Sequence, residues 1–196
     1  MSVLVVAENS NIELKSSTFN TITAASNISD EIHVVVIGSD CEGVAKQTSY
    51  FEKVKKVWHI DDPRYDNPIA EVIAPIIVKL SENYSHILAP ASTFGKNFMP
   101  RVSALLDFSQ ISDVIKIESE DTFVRPIYAG NALATVKSND SKKVITIRPT
   151  SFDIMAKEGG SGIVESINFD LTEHNVEFID REESKSDRPE LSTARI

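Results

Sequence analysis

Residues 92–131 read STFGKNFMPRVSALLDFSQISDVIKIESEDTFVRPIYAGN. A small polar loop with one glycine opens a helix that carries residues 98–106 and ends near Asp107. Strands then follow without further helices, up to a Gly-Asn turn at Gly130-Asn131. The chain changes architecture inside this stretch, which makes it the key to the fold. Gly95 lets the backbone approach a neighbour closely, and Lys96 and Arg101 put positive charge on the helix. The local chemistry describes a candidate anion cradle and nothing narrower.

Upstream, strands and helices alternate. Residues 3–7 and 33–37 are short apolar runs rich in valine and isoleucine, as expected of central parallel strands covered on both faces. Between them Phe19, Ile22 and Ala25 recur at helical spacing over residues 15–26, and a weaker helix is expected over 42–49. Residues 55–60 (KKVWHI) read as a third strand. The clearest helix covers residues 68–83, where Ile69, Val72, Ile73, Ile76, Ile77 and Leu80 form one stripe. Asn67 is its expected N-cap, Pro68 its first residue, and Pro75 a bend. Residues 86–89 form a fourth strand. This alternation implies right-handed crossovers and a parallel sheet.

Downstream, residues 113–117, 122–128, 132–137 and 143–147 read as strands, with a hairpin at Gly130-Asn131. The expected architecture is α/β: an open, mainly parallel sheet flanked by helices, extended by an antiparallel section. The glycine-rich residues 158–162 read as a flexible break. Beyond it, residues 163–170 and 175–179 are candidate strands and residues 180–188 are strongly charged. The expected division is an α/β domain over 1–153, a flexible, charged crossover over 154–186, and the start of a linker over 187–196.

The 196 residues carry a net charge of −9, with 41% hydrophobic and 25% charged residues, an ordinary balance for a soluble globular protein. The acidic balance disfavours nucleic acid as a partner. Cys41 is the one cysteine, so no intrachain disulfide or cysteine cluster can form. No apolar run approaches the roughly 20 residues of a membrane helix, and no signal peptide is read at the start.

The loop of residues 91–96 lies after a strand and before a helix, at the sheet edge where open α/β proteins bind ligands. A P-loop would need glycine where Pro90 stands, and no GxGxxG occurs. Phosphate binding and close helix-sheet packing are the two readings, and the sequence favours packing. His33, His59, His86 and His174 lack ligand-like spacing and read as structural. Cys41 reads as an incidental small residue, Asp61-Asp62 as a turn before Pro63, and Glu118, Glu120 and Asp121 as a solvated loop. Arg125 and Tyr128 have opposite strand parity, so one face of their strand packs inward. The other, with Asn131 nearby, is either plain surface or a candidate contact with a partner subunit or domain. No Ser-His-Asp or Cys-His arrangement emerges.

The wording of residues 92–131 resembles the N-terminal domain of the electron transfer flavoprotein alpha subunit. SVLVVAE at residues 2–8, ITIRPTSFD at 145–153 and KSDRPEL at 185–191 resemble the same family in the same order. The resemblance implies a Rossmann-like, adenine-nucleotide-hydrolase-like fold. It also implies an alpha-beta heterodimer carrying one FAD. That assembly would take electrons from acyl-CoA and other flavin dehydrogenases and deliver them to a quinone oxidoreductase. In the family, the FAD-binding half is expected to begin after the DRPEL match, so no cofactor-binding, catalytic or metal residue carries over here. The beta subunit of the family holds AMP on a related fold, whereas the alpha domain is not known as a nucleotide site. The chain itself is then expected to be a scaffold, neither an enzyme nor a tight FAD binder. It would pack on the beta subunit without inserting in a membrane, in the bacterial cytoplasm or, for a processed eukaryotic protein, the mitochondrial matrix. The alternative is a stand-alone, non-redox adenine-nucleotide-binding module.

Overall fold

A computed structural model describes residues 2–154, 156, 158–169, 176, 178–180 and 182. The elements run β1 (Val3–Val6), α1 (Ser16–Ser26), β2 (Ile32–Gly38), α2 (Glu42–Ser49), β3 (Val54–Asp61), α3 (Ala70–Leu80), β4 (His86–Pro90), α4 (Thr93–Leu106), β5 (Gln110–Val114), β6 (Lys116–Ile117), β7 (Thr122–Ile127), β8 (Ala132–Lys137), β9 (Lys143–Ile147) and β10 (Ile163–Ser166). Seven strands form one sheet in the order β10-β3-β2-β1-β4-β9-β5, and every pairing in it is parallel. Strands β6, β7 and β8 form a separate antiparallel sheet.

Side-chain parity along β1 divides the core. Val3 and Val5 pack into a layer with Phe19, Ile22, Val44 and Phe51 beneath α1 and α2. Leu4 and Val6 pack into the opposite layer with Ile73, Ile77, Phe98 and Val102 beneath α3 and α4. Continuous burial of VLVV is therefore what a central parallel strand requires. The apolar stripe of α3 faces the second layer. Pro75 stays within that helix on its half-exposed side, and Pro100 of α4 is exposed, so a carbonyl left without its helical partner is not sealed in the core.

Three expectations change here. First, β9 does not join the antiparallel section but returns to the main sheet and slots between β4 and β5, parallel to both. Second, the strand expected over residues 113–117 is two strands. Asp113 adopts φ 62° at a register shift between Ile111 and Val114, and the chain leaves the main sheet there. Arg148 of the adjoining strand end holds that bulge through both Asp113 carboxylate oxygens. Third, α3 starts at Ala70 rather than Pro68. The Val72 and Ile73 amides donate to the Ile69 carbonyl, while the Asn67 amide is turned to Asp66.

Residues 158–162, expected as a flexible break, strap across the end of α2 instead. Gly160 and Gly162 donate to the Tyr50 and Ser49 carbonyls at 2.8 and 2.9 Å, which delivers β10 to the edge beside β3. The second candidate strand there, residues 175–179, falls partly outside the described residues, and its described members are not strand.

Candidate functional site

The strand order reverses between β1 and β4, so the ligand crevice of an open α/β sheet would lie at the carboxyl ends of those two strands. From β1 this edge receives Glu8. Its Oε2 accepts from Ser17 Oγ at 2.7 Å in the first turn of α1, and its backbone closes on Thr18. The Glu8 carboxylate thus lies beside the first turn of α1, reached through the Ser17 hydroxyl. From β4 the edge receives the loop to α4. A Cβ at Gly95 would lie 1.9 Å from the Pro90 carbonyl oxygen, so this glycine is the means by which α4 presses onto the strand end. Ser92 caps the same turn with a long 3.5 Å bond from the Gly95 amide. Arg101 is spent on Glu71 of α3 at 3.2 Å. The packing reading of this loop is the one the geometry supports.

A second cluster, which sequence spacing did not suggest, forms at the end of β3. Cys41 Sγ, a His59 ring nitrogen and an Asp61 carboxylate oxygen lie within 4.8 Å of one another. Asp61 accepts from the Asp40 and Cys41 amides, each at 2.9 Å, and so caps the start of α2. His59 bridges onward, with Nε2 at 3.1 Å from Asp61 and Nδ1 at 3.0 Å from Ser166 Oγ of β10. Burial, reinforced by the Asp61 charge, pushes the Cys41 thiol up to about 12. His59 and Asp61 are hydrogen-bonded to each other, while the Cys41 thiol, held protonated, donates to the Ile60 carbonyl at 3.9 Å. The cluster is a buried hydrogen-bonded brace joining α2, β3 and β10.

The other described histidines are braced in the same way. His33 Nδ1 meets Tyr84 Oη at 2.7 Å and Nε2 meets Glu31 at 3.1 Å, while Trp58 donates to the same Tyr84 hydroxyl. They line a broad groove of about 520 Å³ at the amino edge of the sheet. His86 is fully buried, accepting or donating at Ser85 Oγ and donating from Nε2 to the Glu120 carbonyl. His174 lies outside the described residues.

Burial, with Lys143 nearby, pushes the His86 pKa below its ordinary 6.5, against an opposing pull from its bond to Glu120. The unfolded chain therefore takes up this proton first as pH falls, and stability drops as pH falls below about 6.5 toward the depressed folded value. Urea midpoints are expected to decline between pH 7.5 and 5.5, and His86→Gln to flatten that decline. A wild-type midpoint constant across this window would refute the assignment. Asp62, held down to about 2 by Arg64, titrates well outside it.

The strand expected over residues 122–128 ends at Ile127, and Tyr128 lies in the turn that follows with φ 49°, so the turn rather than strand parity separates it from Arg125. Arg125 Nη2 turns under to Ser112 Oγ of β5 at 2.7 Å, while Tyr128 is 79% exposed at the tip and Asn131 closes the turn by donating to the Tyr128 carbonyl. Glu118 pairs with Lys116, and Asp121 with Lys137, Ser119 and Thr122, as ordinary surface loop chemistry.

The sequence model of the family described as electron transfer flavoprotein domain matches residues 3–172. The chain belongs to the electron transfer flavoprotein domain family. It is 49% identical over 196 residues to electron transfer flavoprotein subunit alpha of Pseudomonas aeruginosa, an alignment covering all of this chain and 63% of that protein. It is 47% identical over 209 residues to the mitochondrial subunit alpha of Dictyostelium discoideum, covering 98% of this chain and 59% of the relative. The Paracoccus denitrificans subunit alpha is 42% identical over 195 residues. The chain thus spans about three fifths of the length of these electron transfer flavoprotein subunits, matching their N-terminal part. Among the described residues no helix is long and apolar enough to cross a membrane.

Proposed function

We propose that this chain is the N-terminal scaffold domain of an electron transfer flavoprotein alpha subunit. It packs against the beta subunit and supports the flavin-bearing part of the assembly. The observation that carries this reading is full-length similarity to alpha subunits that extend well beyond it. The intact heterodimer would take electrons from acyl-CoA and other flavin dehydrogenases and pass them to a quinone oxidoreductase, in a bacterial cytoplasm or a mitochondrial matrix. FAD supplies the redox chemistry when bound, and no side chain here acts as a catalyst. The Glu8 carboxylate at the α1 N-terminus and the tight Gly95 turn argue against a dinucleotide in this chain's own crevice. They argue equally against a stand-alone adenine-nucleotide module.

Two measurements test this. The purified chain is expected to show no tight one-to-one complex when titrated with FAD and no binding heat with AMP. It is expected to co-purify with the beta subunit encoded in the same genome. A tight FAD or AMP complex, or failure to retain the beta subunit, overturns the scaffold reading.

A further inference from the structure

Three side chains able to ligate a metal converge at the carboxyl end of β3. Cys41 stands at the start of α2, His59 lies within β3 and Asp61 closes it. One sulfur, one ring nitrogen and one carboxylate oxygen lie within 4.8 Å of one another, and His59 Nε2 is 3.1 Å from Asp61 Oδ2. Bonds of about 2.0–2.3 Å to a tetrahedral zinc ion set such atoms about 3.2–3.6 Å apart, so a contraction of about 1 Å closes the set. A thiol, an imidazole and a carboxylate together select a borderline-soft cation over magnesium or calcium.

The hydrogen bonds of the cluster leave its ligand capacity intact. An ionised carboxylate offers about four lone-pair sites. Asp61 accepts from the Asp40 and Cys41 amides, which leaves it able to cap α2 and bind a cation at once. The Cys41 thiol is held by a long contact, 3.9 Å to the Ile60 carbonyl. Ser166 Oγ, 3.0 Å from His59 Nδ1, supplies the outer partner that orients a ligating imidazole with Nε2 toward the metal. Asp61 also lines a polar cavity of about 250 Å³ with Asp62 and Asn168, and its side chain is 28% exposed. An ion and a water can approach the cluster from that side.

We propose that Cys41, His59 and Asp61 bind a single zinc ion, with a water as the fourth ligand. An ionised carboxylate only accepts, so His59 donates to Asp61 from Nε2 in the brace. The ion replaces the thiol proton, and the His59 proton moves to Nδ1, from which it donates to Ser166. One proton is released per ion, and no oxidant or reductant takes part. Bound zinc joins α2 to β3 and, through Ser166, to the edge strand β10. The site is independent of the subunit reading above.

Cobalt is the spectroscopic probe and zinc the competitor, both with the 196-residue chain. Cobalt is expected to bind one-to-one with a thiolate-to-cobalt charge-transfer band, which zinc abolishes while releasing one proton per ion. Cys41→Ser should remove the band and weaken zinc binding by about 100-fold or more, whereas Ser166→Ala should keep the band and weaken zinc binding about 10-fold. Zinc, but not magnesium, should raise the wild-type melting temperature. X-ray absorption of the zinc-loaded wild type needs no variant, and should show one sulfur neighbour at about 2.3 Å. A zinc shell of nitrogen and oxygen alone, no charge-transfer band with cobalt, or unchanged zinc affinity in Cys41→Ser overturns the site and leaves a hydrogen-bonded brace.

Discussion

Replacing Gly95 with alanine is expected to destabilise the protein by about 2–3 kcal/mol, lowering the melting temperature by about 5–10 °C. In an unconstrained helix the same change stabilises by about 1 kcal/mol, because glycine has the greater backbone entropy to lose. Here the added Cβ would lie 1.9 Å from the Pro90 oxygen, 3.1 Å from the Pro90 carbonyl carbon and 3.4 Å from Ala89 Cβ. The nearest of these is backbone in a buried strand, so α4 must lift away from β4. Gly43 of α2 supplies the matched comparison, since a Cβ there meets nothing within 4 Å. Gly43→Ala is expected to be neutral or stabilising by up to about 1 kcal/mol. The melting temperature should fall for Gly95→Ala and not for Gly43→Ala, and an unchanged or raised melting temperature for Gly95→Ala would refute close packing as the reason for that glycine.

Asp61→Ala should cost about 2–4 kcal/mol. The carboxylate caps α2 by accepting from two backbone amides, and it is the partner of a His59 that is 7% exposed. Removing it strands two donors at the start of a helix and one buried ring nitrogen. Asp61→Asn keeps a single acceptor and should fall between wild type and alanine. The measurement is the urea midpoint at unchanged m-value. A loss below about 1 kcal/mol would show that the brace contributes little. The same variant probes Cys41, whose thiol is raised first by burial and next by Asp61. The native chain should resist thiol reagents at pH 8 until it unfolds, and loss of the Asp61 charge should move the thiol pKa downward.

The alternation of elements up to Asp107 is legible because β1, β2 and β4 are covered on both faces and each helix on one. Burial then leaves a continuous apolar run or a stripe in the local sequence. The α2 and β8 bounds match those read from periodicity. Strand β9 joins the main sheet, not the antiparallel section. KVITI is buried at four of its five positions, whereas ALATVK of β8 alternates between half-buried and exposed. That contrast marks β9 as a central parallel strand, and was the available signal. It was outweighed by the lack of an intervening helix, since the small β6-β7-β8 sheet serves as the crossover.

The candidate site divides along the same line. That residues 92–131 hold a glycine-containing junction and a hairpin follows from residue type and local order, whereas the exposure of Tyr128 comes from the left-handed turn and not from strand parity. Residue type and local order act over a few residues. The convergence of Cys41, His59, Asp61 and Ser166, the Glu8 carboxylate at the α1 N-terminus, and the press of Gly95 against the Pro90 carbonyl needed the folded chain. Each depends on which strands become neighbours and in what register. Sequence periodicity encodes the buried face of an element, not the element it is buried against.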